Sequence, residues 1–258
     1  MRRVDGPLPA ATLRKMNTMR RCFIGVVILS IAWALAGCQA PKPIVRPLPP
    51  PVVQPMPITP SRPLPTPKAV AKPERSLNGA VIVLDAGHGG KDPGALARHG
   101  GQWDEKQIVL DIALKLRDVL ARRGAKVIMT RSSDRFISLD GRAGIAERNH
   151  ADLFVSIHAN AADRSNVSGA EVYIYENASS QSQRAALRMG SAIKARGIYL
   201  RGIYRRNFHV LREHSRPAML IECGYLTNPA DARNLNNRSY RATLVTAISE
   251  GIASYFGK

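Results

Sequence analysis

From Gly79 onward the chain alternates short apolar runs with longer stretches of helical periodicity, and that rhythm admits few folds. Residues 80–85 form an apolar run with the pattern of a buried strand. Over 104–123, Ile108, Leu110, Ile112, Leu116 and Leu120 recur with Val109 and Ala113 between them, which gives a helix with a broad buried face. Further strands are expected over 126–130, 152–157, 170–175 and 218–221. Further helices are expected over 139–149, 184–195 and, as an amphipathic closing helix, 242–255. Strands alternating with helices imply a single α/β domain with a largely parallel twisted sheet flanked by helices. In such a sheet, ligands gather beyond the carboxyl ends of the strands. No internal repeat is visible.

The composition changes abruptly at Gly79. Residues 39–77 contain 13 prolines, with runs such as Pro49-Pro50-Pro51 that favour polyproline II. At about 3.1 Å per residue, such a spacer reaches on the order of 120 Å. Residues 23–36 carry no charge and follow Arg20 and Arg21. They are shorter than the roughly 20 residues of a spanning helix and suit a signal-peptide core. The run ends in Leu35-Ala36-Gly37-Cys38, which resembles the lipobox of bacterial lipoproteins. The resemblance implies cleavage before Cys38 and a lipid anchor on Cys38; the alternative is a short anchor that stays uncut. Residues 1–37 are then a signal peptide, 38–78 a lipidated Pro-rich tether, and 79–258 the working domain. Residues 1–18 look like an upstream extension, with Met19 a second candidate start. By resemblance to Gram-negative sorting, Gln39 implies the periplasmic face of the outer membrane, if the host has one.

The formal net charge of +19 divides along these boundaries. Residues 1–78 hold 12 Lys/Arg against 2 Asp/Glu, and 79–258 hold 26 against 17. Loss of the leader leaves a basic tether on a moderately basic domain, which suits an anionic wall or membrane surface. A helix-turn-helix, a zinc-finger pattern and an RNP pattern are all absent, and a secretory leader separates the chain from nucleic acid. The three cysteines, Cys22, Cys38 and Cys223, cannot form a dense disulfide scaffold.

Three polar motifs stand at the ends of apolar strands: Asp85-Ala86-Gly87-His88-Gly89-Gly90, Ser156-Ile157-His158-Ala159-Asn160 and Ile221-Glu222-Cys223-Gly224. A phosphate cradle around Lys91 is disfavoured, because Asp92 follows where a P-loop needs Ser or Thr. Two histidines with one carboxylate make a standard catalytic zinc set. Glu105, opening the first helix, is the obvious carboxylate, and Asp104 is its rival.

These motifs, with Lys91-Asp92-Pro93-Gly94-Ala95, Glu105-Lys106, Thr130-Arg131 and Gly224-Tyr225-Leu226-Thr227-Asn228, occur in one order across 79–258. Together they resemble the zinc-dependent family 3 cell-wall amidases, the N-acetylmuramoyl-L-alanine amidases. The resemblance implies that His88, Glu105 and His158 hold Zn2+ and that Glu222 is the catalytic carboxylate. It implies peptidoglycan as substrate, cut at the amide between N-acetylmuramic acid and L-alanine. Arg131, Asn160 and Asn228 are candidate substrate contacts, with loop hydrogen bonding as their alternative role. Cys223 stands where the family usually has an apolar residue, and reads as a small core hydrophobe. Some division amidases carry a long inhibitory helix between the segments equivalent to Asn160 and Ala186; nothing here resembles one, so an open site is expected, with control by anchoring or by partners and any activator protein unidentified. The competing functions are a non-catalytic wall-binding module and another zinc amidohydrolase, a deacetylase or peptidase. The zinc-peptidase motif HExxH is absent.

Overall fold

The computed structural model describes residues 76–257. The leader, Cys22, Cys38 and nearly all of the tether lie outside the described residues. The elements run β1 (Val81–Ala86), α1 (Glu105–Arg122), β2 (Lys126–Met129), α2 (Leu139–Arg148), β3 (Leu153–Asn160), β4 (Ala170–Ile174), α3 (Ser180–Ala195), β5 (Leu200–Arg205), α4 (His209–Arg212), β6 (Ala218–Tyr225), α5 (Pro229–Asn236) and α6 (Arg238–Phe256). They build one six-stranded sheet in the order β2-β1-β3-β6-β4-β5. Four of its five ladders are parallel, and β4 meets β6 antiparallel. The expected fold, a single α/β domain with a mostly parallel sheet flanked by helices, is the one observed. Among the described residues, no helix is long and apolar enough to cross a membrane.

The two faces of the sheet are covered unequally. One face, including Ile82, Leu84, Val155, Ile157, Met219 and Ile221, packs against α1, α3 and α6 in the main core. The other, including Val83, Phe154, Tyr173 and Leu220, meets only a small core supplied by α2 and α4. Strands buried on both faces carry near-continuous apolar sequence, which is why β1 and β3 are so legible.

Three differences from the sequence expectation have physical reasons. β5 was not expected: it is an edge strand whose Leu200-Arg201-Gly202-Ile203-Tyr204-Arg205 sequence is largely half-exposed and polar. α6 is longer than expected and is not amphipathic, because it lies between α1 and α3 and buries residues around most of its circumference. β6 runs to Tyr225 rather than ending near Ile221, because β3 and β4 both pair along it and place Glu222 inside the strand.

One buried ion pair ties the thin face to the sheet. Asp85, at 0% exposure, accepts hydrogen bonds from Thr130 Oγ1 at 2.7 Å, Ser156 Oγ at 2.6 Å and Arg142 Nη1 at 2.7 Å. It therefore joins β1, the end of β2, β3 and α2. Burial would raise its pKa, but the Arg142 charge and the Ser156 and Thr130 hydrogen bonds outweigh burial and hold the carboxyl below its ordinary value. That contribution to stability is present in full above the unfolded value of 3.8 and is lost as the pH falls toward the lower folded value. Asp85→Asn leaves Arg142 buried without its counter-charge and is expected to cost about 3–5 kcal/mol near neutral pH. Thermal melts of the two proteins check this. The gap between them should narrow as the pH falls below 4, and a gap independent of pH would contradict it.

Candidate metal centre and its cleft

The site is assembled at the carboxyl edge of the sheet. His88 follows β1 on a sharp turn and itself adopts a left-handed backbone (φ 57°), with Gly89 and Gly90 also at positive φ. This strained turn is held from below by two buried arginines. Arg142 donates to the carbonyls of Ala86 at 2.7 Å and His88 at 2.6 Å. Arg131 donates to those of Ala86 at 2.8 Å, Gly87 at 2.6 Å and Lys106 at 2.8 Å. His158 lies on β3 in direct register with Glu222 on β6, so both side chains share the thin face. Glu105 is the first residue of α1 and reaches the edge from the opposite layer.

There His88, Glu105 and His158 converge, with one ligand atom from each lying within 4.8 Å of the others. His88 Nε2 stands 3.1 Å and His158 Nδ1 2.9 Å from Glu105 Oε1. Two imidazole nitrogens and one carboxylate oxygen at this spacing fit a tetrahedral ion whose ligand bonds are about 2.0–2.2 Å long. The backbone N–H groups of Ala95 and Ala159 each donate to Glu105 at 2.9 Å and fix its rotamer. Asp92 Oδ2 lies 2.8 Å from His88 Nδ1, which turns Nε2 toward the cluster, the usual outer support of a metal-binding histidine. Asp104, the rival carboxylate, points elsewhere and accepts from Ala97 N–H. Close packing leaves no room for side chains around the cluster: a Cβ on Gly87 would enter the His158 ring, and one on Gly94 would lie 2.5 Å from Glu105 Oε2.

The electrostatics separate the two glutamates. Burial would raise the Glu105 pKa, but the hydrogen bonds to His158 and His88 overcome it and hold Glu105 ionised well below the usual carboxylate range. Glu222 has no such partners. Burial, with only the His158 charge opposing it strongly and Glu105 and Glu171 adding to it, pushes its carboxyl up to about 7. Its Oε2 is buried and, among the described residues, has no hydrogen-bond partner. A buried orphan acceptor of this kind calls for a ligand or water. Glu222 lines a cleft of about 490 Å³ together with His88 and His158 and the apolar Phe136, Leu139, Phe208 and Val210. The histidine side chains keep 24% and 18% exposure, so the cluster is reachable from solvent.

Two of the three candidate substrate contacts are engaged in hydrogen bonds inside the domain. Arg131 is fully buried and its donors are consumed by the backbone carbonyls of the His88 turn. Asn228 caps α5, accepting from Ala230 and Asp231 N–H, and ties down the Ser165 carbonyl. Asn160 remains half-buried at the end of β3, 3.3 Å from Glu171. Cys223 is buried on the main-core face, and burial raises its thiol pKa. Lys91 lies over the Phe136 ring at 4.8 Å. Arg142 was missed. Its signal was indirect: a strand-end aspartate without water needs a cation, and α2 offers an arginine between alanine and glycine neighbours.

A family model described as N-acetylmuramoyl-L-alanine amidase matches residues 82–254. Over 181 residues the chain is 38% identical to a Staphylococcus epidermidis protein named as a probable cell wall amidase, LytH, covering 70% of this chain and 60% of that protein. The chain thus spans about 60% of the length of this first relative. It is 33% identical over 233 residues to the N-acetylmuramoyl-L-alanine amidase AmiA of Escherichia coli K12, covering 72% of this chain and 80% of that one. A solved N-acetylmuramoyl-L-alanine amidase from Clostridium difficile 630 superposes with a TM-score of 0.67 at 36% identity, covering 69% of this chain and 97% of that chain.

Proposed function

This chain belongs to the N-acetylmuramoyl-L-alanine amidase family, and from that premise we propose that it hydrolyses the amide between the lactyl group of N-acetylmuramic acid and the L-alanine of the peptidoglycan stem, using a zinc ion held by His88, Glu105 and His158. The observation that carries the reading is the convergence of this ligand set beside the unpartnered carboxylate of Glu222 in one open cleft. A zinc ion in such a set supplies Lewis acidity toward a scissile carbonyl and acidifies water.

The chain's own residues supply the rest. Glu222 sits in register with His158 on a strand paired on both sides, so its position is rigid. A buried carboxyl at this position suits a group that takes a proton from attacking water and returns it to the leaving amine. Glu105 stays ionised beside it and keeps ligand and proton-transfer roles apart. Asp92 and the two buried arginines hold His88 in place through its ring and its backbone. Phe136, Leu139, Phe208 and Val210 give the cleft an apolar part to its lining.

The anchoring belongs to the same proposal. An uncharged 23–36 run behind two arginines, the lipobox-like Leu35-Ala36-Gly37-Cys38 and the proline-rich 39–77 support a lipoprotein tethered to the envelope membrane through Cys38, on the periplasmic face of the outer membrane in a Gram-negative host. Among the described residues, β3 and α3 are joined through β4 and short loops, without a helix across the cleft. The domain is accordingly expected to act without an activator.

Peptidoglycan digestion with product identification by mass tests the chemistry. Free stem peptides with an L-alanine amino terminus are expected, lost with chelator and restored by zinc. Glu222→Gln should keep the metal and lose about 100-fold or more in turnover. Released acetate, or cleavage between stem residues, would overturn the assignment. For the anchor, cell fractionation should find the parent chain with membranes and Cys38→Ala in the soluble fraction; an unchanged distribution would contradict lipidation.

A further inference from the structure

A second cavity, of about 730 Å³, lies at the opposite end of the sheet from the catalytic cleft. Its lining includes Asp152, which precedes β3, and Pro217, which precedes β6, so it sits at the amino edge of those strands. Arg184, Arg188 and Arg216 line it, with Tyr255 and Phe256 beside them. Among the described residues the one carboxylate in the lining is Asp152, and its Oδ2 is already taken by the Val81 N–H at 2.8 Å. Arg184 lies over the Tyr255 ring at 5.1 Å and is itself exposed. Arg184 and Arg188 are exposed and stand one turn apart on α3, whereas Arg216 is partly spent on the Ala151 and His150 carbonyls. Planar guanidinium groups gathered in a concave site with little opposing charge match phosphate.

We infer that this pocket docks the phosphate headgroups of an anionic membrane, and so sets which way the domain faces. The inference rests on the proposed tether. Val81 opens β1 at this same edge, hydrogen-bonded to a residue of the pocket wall, so the chain from the tether enters the domain here. Residues 38–78 add six Lys/Arg against one Glu. Phe256, half-buried, adds an aromatic side chain to the lining, behind which Tyr255 belongs to the main core. With this edge on the lipid, the carboxyl edge carrying His88, His158 and Glu222 faces away from the membrane, toward the wall.

The solved Clostridium amidase, 97% of whose chain is covered by this match, consists almost wholly of this domain, so residues 76–258 fold without leader or tether. Flotation of that soluble chain is the test, using phosphatidylcholine vesicles with and without about 30% phosphatidylglycerol at low salt. Binding should require the anionic lipid and fade at high ionic strength. Arg184→Gln with Arg188→Gln should weaken it about 30-fold, since each basic side chain at such a surface contributes about fivefold. Arg184→Lys with Arg188→Lys, which keeps the charge but not the planar fork, should bind between the parent and the glutamine variant, and turnover on soluble muropeptides should be unchanged in both variants. No flotation, flotation insensitive to the glutamine variant, or arginine-dependent retention on isolated wall or inorganic phosphate without flotation would each overturn the inference. Because the soluble chain lacks Cys38, failure here would leave the lipid-anchor reading to the Cys38→Ala fractionation.

Discussion

Asp85 is buried with its carboxyl held below its ordinary pKa, and the rest of the site depends on the charge that answers it. Arg142 is drawn into the thin face by that carboxylate, and its remaining donors then fall on the carbonyls of Ala86 and His88. Arg131 adds a second grip on Ala86 and Gly87. A turn that places a non-glycine residue at φ 57° is strained on its own, and such strain persists only where the surroundings over-determine it. The buried arginines are that over-determination. They use the interior of the sheet to aim a histidine at its edge.

Unequal layering explains why the cleft is where it is. Three helices fill one face of the sheet, and α2 with the one-turn α4 fill the other only in part. His158 and Glu222 point to the thin side, and α1 from the thick side delivers Glu105 around the strand ends. The His88, Glu105 and His158 cluster thus draws on both layers of the fold. The environments also separate the carboxylates: hydrogen bonds to two histidines keep Glu105 ionised, and burial without a partner raises Glu222 to about 7.

Much of this was legible in the sequence, for reasons that particular residues make clear. β1, β3 and α1 are buried continuously or on a broad face, so their apolar periodicity is strong. His88, Glu105, His158 and Glu222 stood in motifs at element boundaries, where side chains from distant positions meet. β5 was hidden because an edge strand keeps polar residues, and the extent of β6 was hidden because pairing on both sides carries it past the charged Glu222. Arg131 and Asn228 looked like surface contacts because arginine and asparagine usually are; their burial follows from carbonyls and N–H groups that the tertiary fold leaves unpaired. The Asp85–Arg142 pair spans 57 positions, a separation at which local pattern carries no signal.

Diffraction at the zinc absorption edge on crystals of the zinc-loaded domain addresses the central claim most directly. The account predicts a single anomalous peak about 2.0–2.2 Å from one nitrogen each of His88 and His158 and from a Glu105 oxygen, with the carboxylate of Glu222 facing the open coordination position. A peak held by other residues, or none at this cluster, would contradict it.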